Sequence, residues 1–275
     1  MPRKLTVFDS LKWTLLIAGA ASMLFPFFWM VITSIKIPQE VLSYPPILIP
    51  HQVTFERYRR ILVELNFVRY FFNSTYISVI VTFGVLFTSA ILGYVFAKFS
   101  FRGKGVLFVG ILSTMMIPFP VLMIPLYLLL GKISLTDSHL AIILPSLFNT
   151  FGVFLMKQFM ETIPSEFLEA GRIDGASEFR IFYQLILPQT KPALAALAIF
   201  SFMWQWDSYL WPLIALSSDN NFTLPLGLAM FSNQYWTDIG LVMAGATVSV
   251  IPVIIVFLFM QNKFVEGITM TGMKG

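Results

Sequence analysis

The chain has 275 residues, of which 57% are hydrophobic and 12% charged, about half the charged share of an ordinary soluble domain. So few charges cannot coat a water-facing surface, which excludes a soluble globular fold and leaves the bilayer as solvent. The chain has no cysteine, which excludes disulfides, thiolate metal sites and cysteine nucleophiles; its net charge of +4 follows membrane-flanking lysines and arginines rather than a nucleic-acid surface.

Six apolar stretches are long enough to cross about 30 Å of hydrocarbon, which takes roughly 20 helical residues. They run Trp13–Ser34, Tyr70–Ala97, Val106–Leu130, Leu140–Met156, Pro192–Ala215 and Ile239–Gln261. Each is expected to be helical, because backbone groups in lipid must be satisfied within the segment. The first follows Arg3, Lys4 and Lys12 and outruns a signal core, so it reads as an uncleaved first helix. The fourth is short and holds Pro145, Ser146, Asn149 and Thr150. The expected organisation is an N-terminus over 1–12, a membrane domain over 13–262 with an internal polar segment at 157–191, and a tail over 263–275.

With the N-terminus inside, 12 of the 18 lysines and arginines fall on the inner side, which places both termini in the cytoplasm. The first outer segment, 35–69, holds five basic residues and runs against that bias. It is Pro-rich early and then reads as a short amphipathic helix; the segment from Leu216 to Asp238 is polar with aromatics inside it. His51 and His139 lie far apart without a partner histidine and read as loop residues, so neither a metal site nor a cofactor is expected. There is no G-x-x-x-x-G-K-[ST] loop, no H-E-x-x-H, no G-x-S-x-G and no carboxylate cluster within the spans, so nothing supports an enzyme.

The segment between spans four and five runs from Ile163 to Pro188 and reads as two short helices. Ser165 is a candidate N-cap with Glu166 in the first turn, Gly175 can take positive φ and end the first helix, Ser177 can cap the second, and Pro188 is expected to stop it. Phe167, Leu168 and Ile173 are apolar, whereas Glu166, Glu169, Arg172 and Asp174 are charged. An ordinary amphipathic connector and a force-transmitting element both fit that pattern.

In span five, Asp207 is the one acid well inside a predicted crossing. It lies 15 residues beyond Pro192, roughly 22 Å at 1.5 Å per residue. Helical spacing would put Trp204, Asp207, Ser208 and Trp211 on one face. Rings that pack on a pyranose, and an acid that accepts from its hydroxyls, suit a sugar path. An interfacial aromatic belt and simple helix packing are the alternatives. Asn149 with Pro118, Pro120 and Pro125 suggests interrupted helices around a polar cavity.

Glu169-Ala170-Gly171, Gly175 and Leu187-Pro188 resemble the E-A-A-x-x-x-G-x9-I-x-L-P loop of bacterial ABC importer permeases, with Gly171 in place of the second alanine and Leu185 in place of isoleucine. Met115-Met-Ile-Pro-Phe-Pro, Ile124-Pro-Leu-Tyr, Arg172-Ile-Asp-Gly-Ala-Ser, Trp206-Asp-Ser-Tyr-Leu-Trp-Pro-Leu and Glu266-Gly-Ile-Thr-Met-Thr-Gly-Met-Lys-Gly resemble the second permease of the carbohydrate-uptake branch, with the maltose and glycerol-3-phosphate importers as members. The resemblance implies an all-α integral membrane protein of six transmembrane helices with a cytoplasmic coupling helix between helices four and five. It implies a bacterial or archaeal plasma membrane, two ATPase subunits, a second related permease, an extracytoplasmic solute-binding protein, and no nucleic acid. Glu169, Ala170, Gly171, Asp174, Gly175, Leu187 and Pro188 would then mark the ATPase-coupling segment, and the tail Gly267–Gly275 would reach the ATPase interface. A stand-alone secondary transporter using Asp207 is the competing reading, and a scaffold without transport is a third.

Overall fold

The computed structural model describes residues 7–234 and 238–272. Arg3 and Lys4 at one end, and the last three residues of the Gly267–Gly275 tail at the other, lie outside the described residues. Two compact units are formed, one by residues 1–68 with 227–251, the other by 69–226 with 252–275. Among the described residues the secondary structure is helical, apart from a single antiparallel bridge between Lys36 and Val53.

Five helices are long and apolar enough to cross a bilayer: Leu11–Ser34, Phe67–Lys98, His139–Glu161, Glu178–Trp206 and Ile239–Phe259. A bent pair, Lys104–Met116 with Phe119–Lys132, makes six when its two arms are counted as one broken span. The fold is therefore the expected all-α membrane architecture of six crossings, but three of them are interrupted.

In the first unit, α1 (Val7–Ser34) leads to two short turns, α2 (Pro38–Val41) and α3 (Glu56–Arg59), the latter continuing as a π turn over Arg60–Glu64. None of the apolar window of α1 is buried by the rest of the chain. Beyond it a buried polar cluster forms. The Arg57 guanidinium donates to Asp238 Oδ1 at 3.2 Å and to the Lys36 carbonyl oxygen, and the Lys36 ammonium lies 4.0 Å from the Trp29 ring centroid. His51 is an exposed loop residue, as expected, with its Nδ1 3.0 Å from the buried Glu40 carboxylate.

In the second unit, α4 (Phe67–Lys98) is the long central helix. The third expected span, Val106–Leu130, is not one helix. α5 (Lys104–Ser113) tightens into a 3-10 turn at Thr114–Met116, and α6 (Phe119–Lys132) leaves at 99°. Pro118 explains the break, since a proline disfavours the helical region for its predecessor, and Ile117 is extended at φ −89°, ψ 114°. The fourth span divides at Leu147–Asn149 into α7 (His139–Ser146) and α8 (Thr150–Glu161). His139 opens α7 rather than sitting in a loop, with Nε2 3.0 Å from the Asn221 carbonyl oxygen. Glycine lets α4 and α8 touch. A side chain on Gly93 would meet Met156 Cβ at 2.6 Å and the Lys157 amide nitrogen at 3.0 Å, and one on Gly152 would strike the Ser89 hydroxyl; small residues at such crossings allow close backbone approach in lipid.

The fifth span is also cut. α11 (Lys191–Trp206) stops at Asp207, and α12 (Leu210–Ala215) follows a turn. Pro212 favours the break, because in a continuous α-helix its ring would clash with the carbonyl of Ser208. α13 (Leu224–Gln234) lies in the segment read from sequence as a polar connection, and α14 (Ile239–Gly272) is the last crossing.

Candidate functional site

Between α8 and α11 the chain forms α9 (Glu166–Ile173) and α10 (Glu178–Ile181). Gly175 takes φ +76°, as expected. The Gly175 N–H donates to the Arg172 carbonyl at 3.1 Å and the Ala176 N–H to the Gly171 carbonyl at 2.9 Å, the paired bonds of a Schellman closure. Ser177 caps α10 by accepting from the Arg180 N–H. Ser165 caps nothing with its side chain: it sits at φ −71°, ψ −18°, already helical, whereas a capping residue needs extended backbone to turn its oxygen onto the free N–H groups.

The Arg172 guanidinium donates to Glu178 Oε1 at 2.7 Å, bracing α9 against α10 across the Gly175 turn. Glu169, Ala170, Asp174 and Gly175 are exposed, while Gly171 is buried. The departure at Gly171 has a packing reason. An alanine methyl there would stand 2.8 Å from Ile181 Cγ1 and 3.0 Å from Leu185 Cδ1, closer than carbon atoms sit. Ile173 at the end of α9 and Phe179 in α10, 86% and 75% exposed, stand on either side of the Gly175 turn as bare apolar groups; Phe179 was not singled out from sequence, because no periodic face points to it.

Pro188 does not stop the second helix. From Glu178 the path stays helical to Trp206, rewinding as a π turn at Phe182–Ile186 and a 3-10 turn at Leu187–Thr190 before α11. The rewinding absorbs the proline, which would otherwise clash with the carbonyl four residues back. Leu187 and Pro188 thus lie in the hinge into α11, apart from the exposed face of α9.

At the far end of α11 is a cavity of about 200 Å³, lined by Val81 and Val85 of α4, Phe119, Pro145, Ser146, Phe148 and Asn149, and by Ser201, Trp204 and Gln205 of α11. The helix breaks make it. Asn149 caps α8 by accepting from the Gly152 N–H at 2.8 Å through Oδ1, which fixes its amide so that Nδ2 remains available as donor. Ser146 donates to the Ile142 carbonyl and keeps its oxygen lone pairs. The Ser201 hydroxyl is buried without a hydrogen-bond partner among the described residues. Thr114 and Thr150, whose hydroxyls lie 2.9 Å apart, tie the end of the α5 arm to the start of α8.

Of the five path residues expected from sequence, the structure brings Asn149 and Trp204 to this wall. Asp207 and Ser208 sit in the turn after α11, Asp207 exposed as its C-cap. Trp211 is buried in α12, donating its indole N–H to the Ala141 carbonyl at 3.1 Å and packing edge-on to Phe119. The single face Trp204–Asp207–Ser208–Trp211 does not exist, because the helix it assumes ends at Trp206. Phe119, Phe148, Ser201 and Gln205 were missed. The proline on either side of Phe119 was the available signal for that residue, whereas Ser201 and Gln205 carry none in a single sequence.

Residues 62–269 match the family model described as binding-protein-dependent transport system inner membrane component. The chain is 35% identical over 254 residues to the arabinooligosaccharides transport system permease protein AraQ of Halalkalibacterium halodurans, covering 91% of each. It is 31% identical over 264 residues to the lactose transport system permease protein LacG of Rhizobium radiobacter, covering 94% of each. Its structure matches a chain in the crystal structure of a bacterial ABC transporter involved in import of the acidic polysaccharide alginate, with a TM-score of 0.83 at 26% identity, over 96% of this chain and 99% of that one.

Proposed function

The chain belongs to the family of inner-membrane components of binding-protein-dependent transport systems, and from that premise we propose that it is the permease subunit of an ATP-driven sugar importer, moved by a partner ATPase through α9. The observation that carries the reading is mechanical. α9, with Ile173 and Phe179 bare beside it, is braced to α10 by Arg172 and Glu178. α10 runs helically into α11, which ends beside Trp204 in the cavity wall. The path from Glu178 to Trp204 spans roughly 39 Å at 1.5 Å per residue, so displacement of α9 is delivered to the cavity.

The exposed apolar groups suit a cleft in a nucleotide-hydrolysing subunit, and closure of two such subunits would alternate access to the cavity. A sister permease would complete the chamber, since about 200 Å³ is below the usual range of roughly 300–1,000 Å³ for a ligand site. A solute-binding protein would deliver the sugar from outside, with both termini of this chain in the cytoplasm. Asp207 lies outside the cavity wall, and membership of a binding-protein-dependent family weighs against a stand-alone secondary transporter.

Gly175→Pro is the test. Proline locks φ near −65°, incompatible with the observed +76°, so uptake by the assembled importer should be lost while the binding protein still captures sugar. Ile173→Glu, which leaves the backbone alone, should weaken co-elution of the ATPase and lower uptake in step. Normal uptake by both variants would overturn the coupling role.

A further inference from the structure

We propose that the cavity passes an uncharged sugar ring and rejects anionic glycans, a refinement that rests on the cavity being the sugar path. None of its lining residues is ionisable. Its polar groups are the Asn149 amide, the Gln205 amide and the Ser146 and Ser201 hydroxyls. Together they offer donors and acceptors in comparable number, and each sugar hydroxyl is itself both donor and acceptor. Ser201 has a buried hydroxyl with nothing to bond to, 4% exposed and in the wall. A buried hydroxyl without a partner is costly, and a ligand hydroxyl would relieve it.

The apolar side is as specific. Trp204 is 59% exposed yet held by Phe151 at 6.1 Å and Phe200 at 6.5 Å between centroids. A braced, open indole suits the C–H face of a pyranose or furanose ring. Against this wall a carboxylate or phosphate would give up hydration with no arginine or lysine of this chain to replace it, and neutral donors alone do not repay that loss. On this point the chain is expected to differ from the alginate importer that its structure resembles.

Proteoliposomes holding the complete importer with its binding protein would be given a mixture of lactose, maltose, an arabinooligosaccharide, glycerol 3-phosphate and an alginate oligosaccharide. Uptake of a neutral member alone is expected; uptake of an anionic member, or of no neutral one, overturns the proposal. Gln205→Glu and Gln205→Lys separate the charge class from the path. For a neutral passenger the two variants lower uptake by similar factors, within about threefold of each other. If Lys raises uptake and Glu abolishes it, the passenger is anionic and the proposal fails while the cavity stands. Trp204→Ala should cut uptake about tenfold, a loss of some 1.4 kcal/mol in transition-state terms, with ATPase co-elution unchanged. If Trp204→Ala and both Gln205 variants leave uptake intact, the cavity is off the path and the underlying reading falls with it.

Discussion

Asp137 holds a left-handed backbone at φ +55°, a conformation aspartate tolerates better than most side chains. Its Oδ1 accepts from the Ser217 and Ser218 N–H groups at 2.9 Å each, and its Oδ2 from the Ser218 hydroxyl. Burial is the largest single influence on the carboxyl and opposes ionisation, but the bonds from Ser218, Ser217 and Asn221 together outweigh it and hold the pKa well below the usual carboxylate range. A depressed folded value gives stability that is complete above the unfolded pKa of about 3.9 and lost as pH falls through the folded one. The protection of the Ser217 and Ser218 amides, relative to their intrinsic exchange at each pH, should therefore not change between pH 5 and 8 and should fall only in strong acid. Asp137→Ala should loosen the loop by about 1 kcal/mol, since the group is half exposed and solvent competes, read as faster exchange of those two amides. Nothing in the spacing of Asp137 foretells these bonds, because its partners lie some 80 residues away. Gly175 is the opposite case: a glycine at the end of a short polar helix announces positive φ by itself.

Helix packing sets a graded test at the level of elements. On Gly93 an added methyl would meet Met156 Cβ at 2.6 Å and the Lys157 backbone nitrogen at 3.0 Å, neither of which can swing aside. On Gly84 it would meet the mobile end of Leu147. Gly93→Ala should therefore destabilise the complex by about 1–3 kcal/mol, and Gly84→Ala by clearly less, measured as the shift in thermal unfolding in one detergent. Equal shifts would refute the close α4–α8 approach. The broken crossings follow the same local chemistry as their prolines. Pro118 was legible as an interruption, whereas Pro212 hid the end of α11, because apolar residues continue on both sides and hydropathy cannot register a missing N–H. Pro188 misled in the other direction. A proline in isolation ends a helix, but a wider turn and a tighter one in succession let it pass.

For the whole molecule, orientation is the quantity with the cleanest measurement. The native chain has no cysteine, so Ser165→Cys beside α9 and Ser218→Cys beyond α12 can each carry a lone label. An impermeant maleimide should reach the first only from the cytoplasm and the second only from outside; the reverse pattern would sink the proposed coupling to a cytoplasmic ATPase. α1, with none of its apolar window covered by its own chain, should make the isolated subunit less stable in mild detergent than the assembled importer, read as a lower unfolding temperature. The sequence by itself determined the solvent, the six crossings and the bend at Gly175, because each depends on residues adjacent in the chain: apolar length, turn chemistry, and the lack of a Cβ. Only the tertiary structure decided which side chains line the cavity. That choice depends on where three helices break and on what stands across from them, so Asn149, some 55 residues away, meets Trp204 at one wall while Asp207 and Trp211, within seven residues of Trp204, turn away.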